Sequence, residues 1–205
     1  MKNKFGGFSS NLKYKIAEGF NNNKKCCFIL FLVALIGILT GVFTAINYCN
    51  GQTLINFNDF SLCKYLSGEL GTLELFFSRF LSYAIVMAIV LVTSCSVFVV
   101  PINFFLLAYR GYLLSLNVSI MIILYGVGGI MTGIFIILPC HLLCLLLIAA
   151  FMCMSNEKAF MKKRYGVCKE KIFGKFIIIL VALTVINIIE TFLLYIFSSK
   201  VILVI

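Results

Sequence analysis

The chain has 205 residues, of which 62% are hydrophobic and only 12% charged, and its mean hydropathy is +1.12. That composition excludes a soluble globular domain and points to an all-α integral membrane protein. The formal net charge of +10 does not mark a nucleic-acid surface, because the cations cluster between long apolar runs, as cytoplasmic loops beside anionic lipid headgroups do.

Residues 1–25 form a basic segment with Lys2, Lys4, Lys13, Lys15, Lys24 and Lys25. The first predicted span, 26–48, carries no charge, and at about 1.5 Å per residue it is long enough for a hydrocarbon core of roughly 30 Å. It is too long for the apolar region of a signal peptide and has no small-x-small cleavage site after it, so it is expected to be retained. The loop 49–80 holds Lys64 and Arg79 against Asp59, Glu69 and Glu74. Within it Leu66, Leu70, Leu73, Phe76, Phe77 and Phe80 recur at helical spacing. They predict an amphipathic helix lying in the outer headgroup layer or docked on the ends of the spans.

The second span is predicted at 81–100, stopped by Pro101, whose fixed φ and missing N–H favour a turn. The third covers 102–125, after which Gly126, Gly128 and Gly129 let the chain reverse. The fourth covers 128–154 and the fifth 176–197. Between them lies a basic stretch with Lys158, Lys162, Lys163, Arg164, Lys169, Lys171 and Lys175. Five crossings put this stretch on the same face as the amino terminus. The cation bias assigns that face to the cytoplasm, leaving the carboxyl terminus outside. Residues 26–205 are expected to form one polytopic membrane domain.

Polar residues in the spans fall on faces. Asn103, Arg110 and Asn117 repeat every seven positions in span three, and span five carries Thr184, Asn187, Glu190 and Thr191. These are read as stripes packed against neighbouring spans, with a groove or partner contact as the functional alternative. Gly37, Thr40, Gly41, Thr44 and Asn47 share a face of span one, and Gly129 and Gly133 form a second G-x-x-x-G. Both are expected to serve contacts inside the bundle rather than a dimer.

Three ionisable groups fall within the predicted spans: Arg110, His141 and Glu190. By helical rise, Arg110 lies about 12 Å and Glu190 about 21 Å from the cytoplasmic end, with His141 at about 18 Å. A direct Arg110–Glu190 pair would need strong tilt, so Arg110 is expected to snorkel to the inner headgroups. His141 and Glu190, leaning in opposite directions on antiparallel helices, are expected to meet directly or through one water.

Four of the nine cysteines, Cys95, Cys140, Cys144 and Cys153, fall in apolar runs and read as small packing residues. No C-x-x-C pair occurs and the single His lacks ligand company, so neither a metal nor another cofactor is expected. No serine–histidine motif, H-E-x-x-H, aspartate pair or nucleotide loop is present, which leaves catalysis unsupported. A proton- or ion-coupled carrier needs little more than a midplane His–Glu pair, although five spans do not divide into the usual repeats.

The block from Pro101 to Ile148 contains Tyr109, Arg110, Gly111 and Tyr112, then Gly126, Val127, Gly128 and Gly129, then Ile137, Leu138, Pro139, Cys140 and His141. It resembles the stage II sporulation protein M family, which shows a basic residue and glycine in one span, a glycine-rich turn, and an isoleucine-leucine-proline before a polar residue. Ser115 stands where a second glycine is expected. The match covers about a quarter of the chain, and the five-span topology agrees with the family. The positions carried over are Arg110, Gly111, Gly128, Gly129, Pro139 and His141.

The resemblance implies a role in endospore formation, as a non-enzymatic membrane scaffold that anchors two cell-wall hydrolases, stage II sporulation proteins D and P, at the septal membrane during engulfment. Extracytoplasmic hydrolases would reach only the outer loop, which makes Glu69 and Glu74 the candidate docking positions. Relatives outside spore formers leave a transporter subunit as the alternative. Pro139 reads first as a helix kink that its neighbours accommodate. The functional alternative is a polar site built from the carbonyl it frees, near Phe135 or Ile136, together with His141.

Overall fold

The structure, a computed structural model, describes residues 24–50, 64–65, 68–165 and 172–201. Most of the basic segment 1–25, Leu66 of the predicted amphipathic helix, and Lys169 and Lys171 of the second basic stretch lie outside them. The described residues are helical with no strand, arranged as α1 (Lys24–Asn50), α2 (Thr72–Thr93), α3 (Val100–Thr132), α4 (Leu138–Tyr165) and α5 (Ile172–Val201). A 3₁₀ turn, Val97–Val99, precedes α3, and a π turn, Gly133–Ile137, joins α3 to α4. Four stretches are long and apolar enough to cross a membrane: Phe28–Asn47, Thr72–Thr93, Val97–Phe160 and Ile172–Phe197. The protein is a membrane-embedded helical bundle.

The longest stretch is not one straight rod. Gly126 has φ +52° and ψ −125°, a left-handed conformation that only glycine adopts without strain. Beyond it the chain folds back on itself. A Cβ on Gly129 would lie 1.9 Å from the Met121 carbonyl oxygen, and one on Gly133 would lie 3.4 Å from Val118 Cγ1. Residues eight and fifteen apart touch only when a helix has reversed.

The second helix differs from its sequence expectation. Residues 72–80, assigned to a separate amphipathic helix, are the first turns of α2, which then ends at Thr93 rather than at Val100. Two features explain the shift. Gly71 caps the helix and its N–H donates to Glu74 Oε2 at 3.0 Å, so Glu74 sits in the first turn, where a carboxylate is stabilised. Pro101 falls in the first turn of α3, where its missing N–H is not needed, so it starts a helix instead of ending one. The turn lies at Ser94–Ser96, with the Ser94 hydroxyl donating to the Leu91 carbonyl at 2.6 Å.

Side-chain contacts fix the helix directions. Gly37 meets Ala108 and Gly41 meets Tyr112, so α1 and α3 run the same way. Thr93 pairs with Asn103 and Ser82 with Arg110, so α2 and α3 are antiparallel. His141 approaches Glu190 while Phe151 packs on Phe176 at 6.1 Å between ring centroids, so α4 and α5 are antiparallel as well. The main core joins Tyr83, Val86, Met87 and Val90 to Leu107, to Ile148 and Phe151, and to Leu183.

Candidate functional site

The site is a chain of polar side chains running through the interior of α2, α3, α4 and α5. Leu75, Arg79, Tyr83, Val86, Val90 and Thr93 are buried on α2 at steps of three and four residues, a continuous inward face. The outward face carries Leu73, at 74% exposure, and Phe77, at 62%. Of the apolar residues that define the predicted amphipathic helix, Leu73 and Phe77 therefore point away from the bundle, while Leu70, Phe76 and Phe80 are half-buried. The single cation among them points in: Arg79 is 7% exposed.

Arg79 Nη1 donates to Glu190 Oε1 on α5, forming an ion pair buried on both sides. His141 Nε2 approaches the same oxygen to 3.1 Å without hydrogen-bond alignment. His141 Nδ1 lies 3.2 Å from the Tyr83 hydroxyl. A neutral imidazole carrying its proton on Nε2 leaves Nδ1 to accept from that hydroxyl, a self-consistent tautomer. Arg110 on α3 completes the chain. Its guanidinium sits 4.8 Å from the Tyr83 ring centroid, and Nη2 donates to the Ser82 backbone oxygen and, at 2.9 Å, to Ser82 Oγ. Arg110 thus turns into the bundle and does not snorkel, because α2 offers it a carbonyl, a hydroxyl and an aromatic face within reach.

One turn from Glu190 on the same face of α5, Asn187 Nδ2 donates to the Phe76 carbonyl at 3.1 Å. Four buried polar atoms have no hydrogen-bond partner among the described residues: Arg110 Nε, His141 Nε2, Asn187 Oδ1 and Glu190 Oε2.

A separate polar knot lies where α2 ends, α3 begins and α4 passes. Thr93 Oγ1 is 3.0 Å from Asn103 Oδ1 and 3.3 Å from Ser155 Oγ. Asn103 Nδ2 donates to Asn156 Oδ1 at 2.6 Å, and Ser155 Oγ donates to the Val90 carbonyl at 2.8 Å. Asn103 and Arg110 of the predicted stripe therefore face neighbouring helices.

The remaining predicted positions divide by role. Gly111 is buried against α1, where a Cβ would lie 2.6 Å from the Ala34 carbonyl oxygen. Gly128 and Gly129 are buried in the reversal. Pro139 is exposed on the turn after the π segment, where the Leu138 N–H bonds back to the Gly133 carbonyl. That wider turn carries the helix through the proline with His141 still facing inward. Glu69 is exposed, and Glu74, also exposed, serves the α2 cap. Cys140, Cys144 and Cys153 are buried. No group of three or more His, Cys, Asp or Glu among the described residues could hold a metal.

Arg79 and Tyr83 are the members that sequence reasoning missed. Their signal is the buried spacing on α2, legible once the helix is started at Thr72. No family model, curated protein or solved structure matches the chain.

Proposed function

We propose that the protein is a non-enzymatic membrane scaffold that crosses the bilayer five times. Its amino terminus and the α4–α5 loop are cytoplasmic, and its carboxyl terminus is outside. The crossing count is supported by the reversal at Gly126 and the alternating helix directions, and the orientation by the clustered cations. The observation that carries the scaffold reading is the use made of the buried charges. Arg79 pairs with Glu190, His141 lies against Glu190 and Tyr83, and Arg110 stacks on Tyr83, contacts that tie four helices together. Such a device favours a fixed bundle.

The setting comes from the resemblance of the Tyr109–His141 block to stage II sporulation protein M. In that setting the scaffold anchors stage II sporulation proteins D and P at the engulfing septum, through the outer segment around Glu69 and Glu74. A pull-down from membranes of sporulating cells that carry the chain tests this reading. Recovery of cell-wall hydrolases supports it, and recovery of an ATPase subunit overturns it.

A second reading, a permease-like transporter subunit, is favoured by one observation: Glu190 Oε2 and Asn187 Oδ1 are buried acceptors without a donor. Loss of solute uptake in Glu190→Gln, with engulfment intact, would select it.

A further inference from the structure

Three of the unpartnered buried atoms belong to His141 on α4 and to Asn187 and Glu190 on α5. Asn187 and Glu190 are each 0% exposed. They stand three residues apart on α5 and so share a face. Asn187 is already committed through Nδ2 to the Phe76 carbonyl, which leaves Oδ1 as a fixed acceptor. Glu190 is committed through Oε1 to Arg79, which leaves Oε2 as a second. In the tautomer whose Nδ1 accepts from the Tyr83 hydroxyl, His141 Nε2–H is a donor. That donor is 3.1 Å from Oε1 yet not aligned on it.

We propose that one buried water molecule bridges α4 and α5 at this point, accepting from His141 Nε2 and donating to Glu190 Oε2 and Asn187 Oδ1. The pattern of the three groups selects the ligand. Two acceptors and one donor match a molecule with two protons and a free lone pair, and buried waters typically make about three such bonds. A metal cation does not fit, because the Arg79 guanidinium already places a positive charge against the one carboxylate there. An anion does not fit either, because two of the three groups are acceptors. The site is the same whether the bundle is a scaffold or a carrier.

Infrared spectroscopy of the full chain in lipid nanodiscs, compared between H₂¹⁶O and H₂¹⁸O, tests the proposal. The wild type is expected to show an O–H stretching band of a bound water that moves to lower frequency on ¹⁸O exchange. In Asn187→Val the band is expected to disappear, and in Asn103→Val, which alters the distant polar knot, it is expected to persist. If Asn187→Val does not accumulate, Asn187→Ser is expected to shift the same band by weakening one acceptor. A wild type with no such ¹⁸O-sensitive band overturns the proposal, as does a band unmoved by either Asn187 substitution.

Discussion

The α1–α3 contact and the α2–α4–α5 contact solve one problem by opposite means. In the first, small residues bring two backbones together, with Gly37 on the Ala108 carbonyl and Gly111 on the Ala34 carbonyl. Dispersion and close approach hold the helices, and lipid tails are no less apolar than the side chains they replace. In the second, an ion pair and a histidine hold three helices whose approach glycine does not set. A glycine contact fails gradually as volume is added, whereas a buried charge fails at once when its partner is removed.

The sharpest way to break this contrast is Glu190→Leu, which strands Arg79 in the interior. Removing one partner of a buried pair typically costs about 3–5 kcal/mol, and we expect a loss of that order in detergent or nanodisc unfolding. The double variant Arg79→Leu with Glu190→Leu should recover much of the loss, because no uncompensated charge remains. If the double variant is as unstable as the single, the ion pair is not what joins α2 to α5.

Gly37→Leu probes the other contact. Its Cβ alone would lie 2.1 Å from the Ala108 oxygen, so α1 must move away, at an expected cost of about 1–3 kcal/mol for overpacking. Disulfide crosslinking between engineered cysteines on α1 and α3 should fall in this variant, while crosslinking between α4 and α5 stays unchanged. Equal losses at both places would show that the two contacts are not independent.

A smaller effect is expected for Asn103→Leu, which removes the bonds to Thr93 and Asn156 while leaving the main charge cluster intact. Interhelical hydrogen bonds in membranes average about 0.6 kcal/mol and reach about 1.7, and the value here is expected within that range. The smallest effect sharpens the cluster itself. A double-mutant cycle with His141→Leu and Glu190→Gln should give a coupling of about 0.5 kcal/mol or more. Strict additivity would remove His141 from the cluster and leave Arg79 as the sole partner of Glu190.

The same contrast explains what was legible in the sequence. Glycine signals its position without knowledge of the rest of the chain, so Gly37, Gly41 and the reversal after Tyr125 were readable, whereas the packing of Gly111 against α1 was not. His141 and Glu190 were brought to one depth by helical rise and the opposite lean of their side chains, and they lie in contact. The start of α2 was misplaced because Arg79 was treated as a loop cation, when its partner is 111 residues away. Apolar periodicity misled for a related reason. In water the apolar stripe of a helix faces the core, but in lipid Leu73 and Phe77 face outward and the inward face is marked by Arg79 and Tyr83. Reading polar residues as the core-facing signal would have placed α2 correctly.

Glu74 bears on the docking proposal. Because its carboxylate bonds the Gly71 N–H, charge reversal there disturbs the helix start as well as any partner. Glu69→Lys is therefore the cleaner probe: hydrolase foci are expected to fade while membrane insertion is unchanged. Normal foci in that variant would move the dock elsewhere.

The distance along the chain between Arg79 and Glu190 has a consequence for biogenesis. Arg79 enters the membrane with α2, but its counter-charge is encoded 111 residues later, in α5. At typical synthesis rates of about 5–20 residues per second, that interval lasts roughly 6–22 seconds. Throughout it the Arg79 guanidinium has no Glu190 carboxylate to pair with. Only when α5 has been made can its carboxylate neutralise the cation of α2, so the buried ion pair that joins these two helices forms late relative to the synthesis of α2.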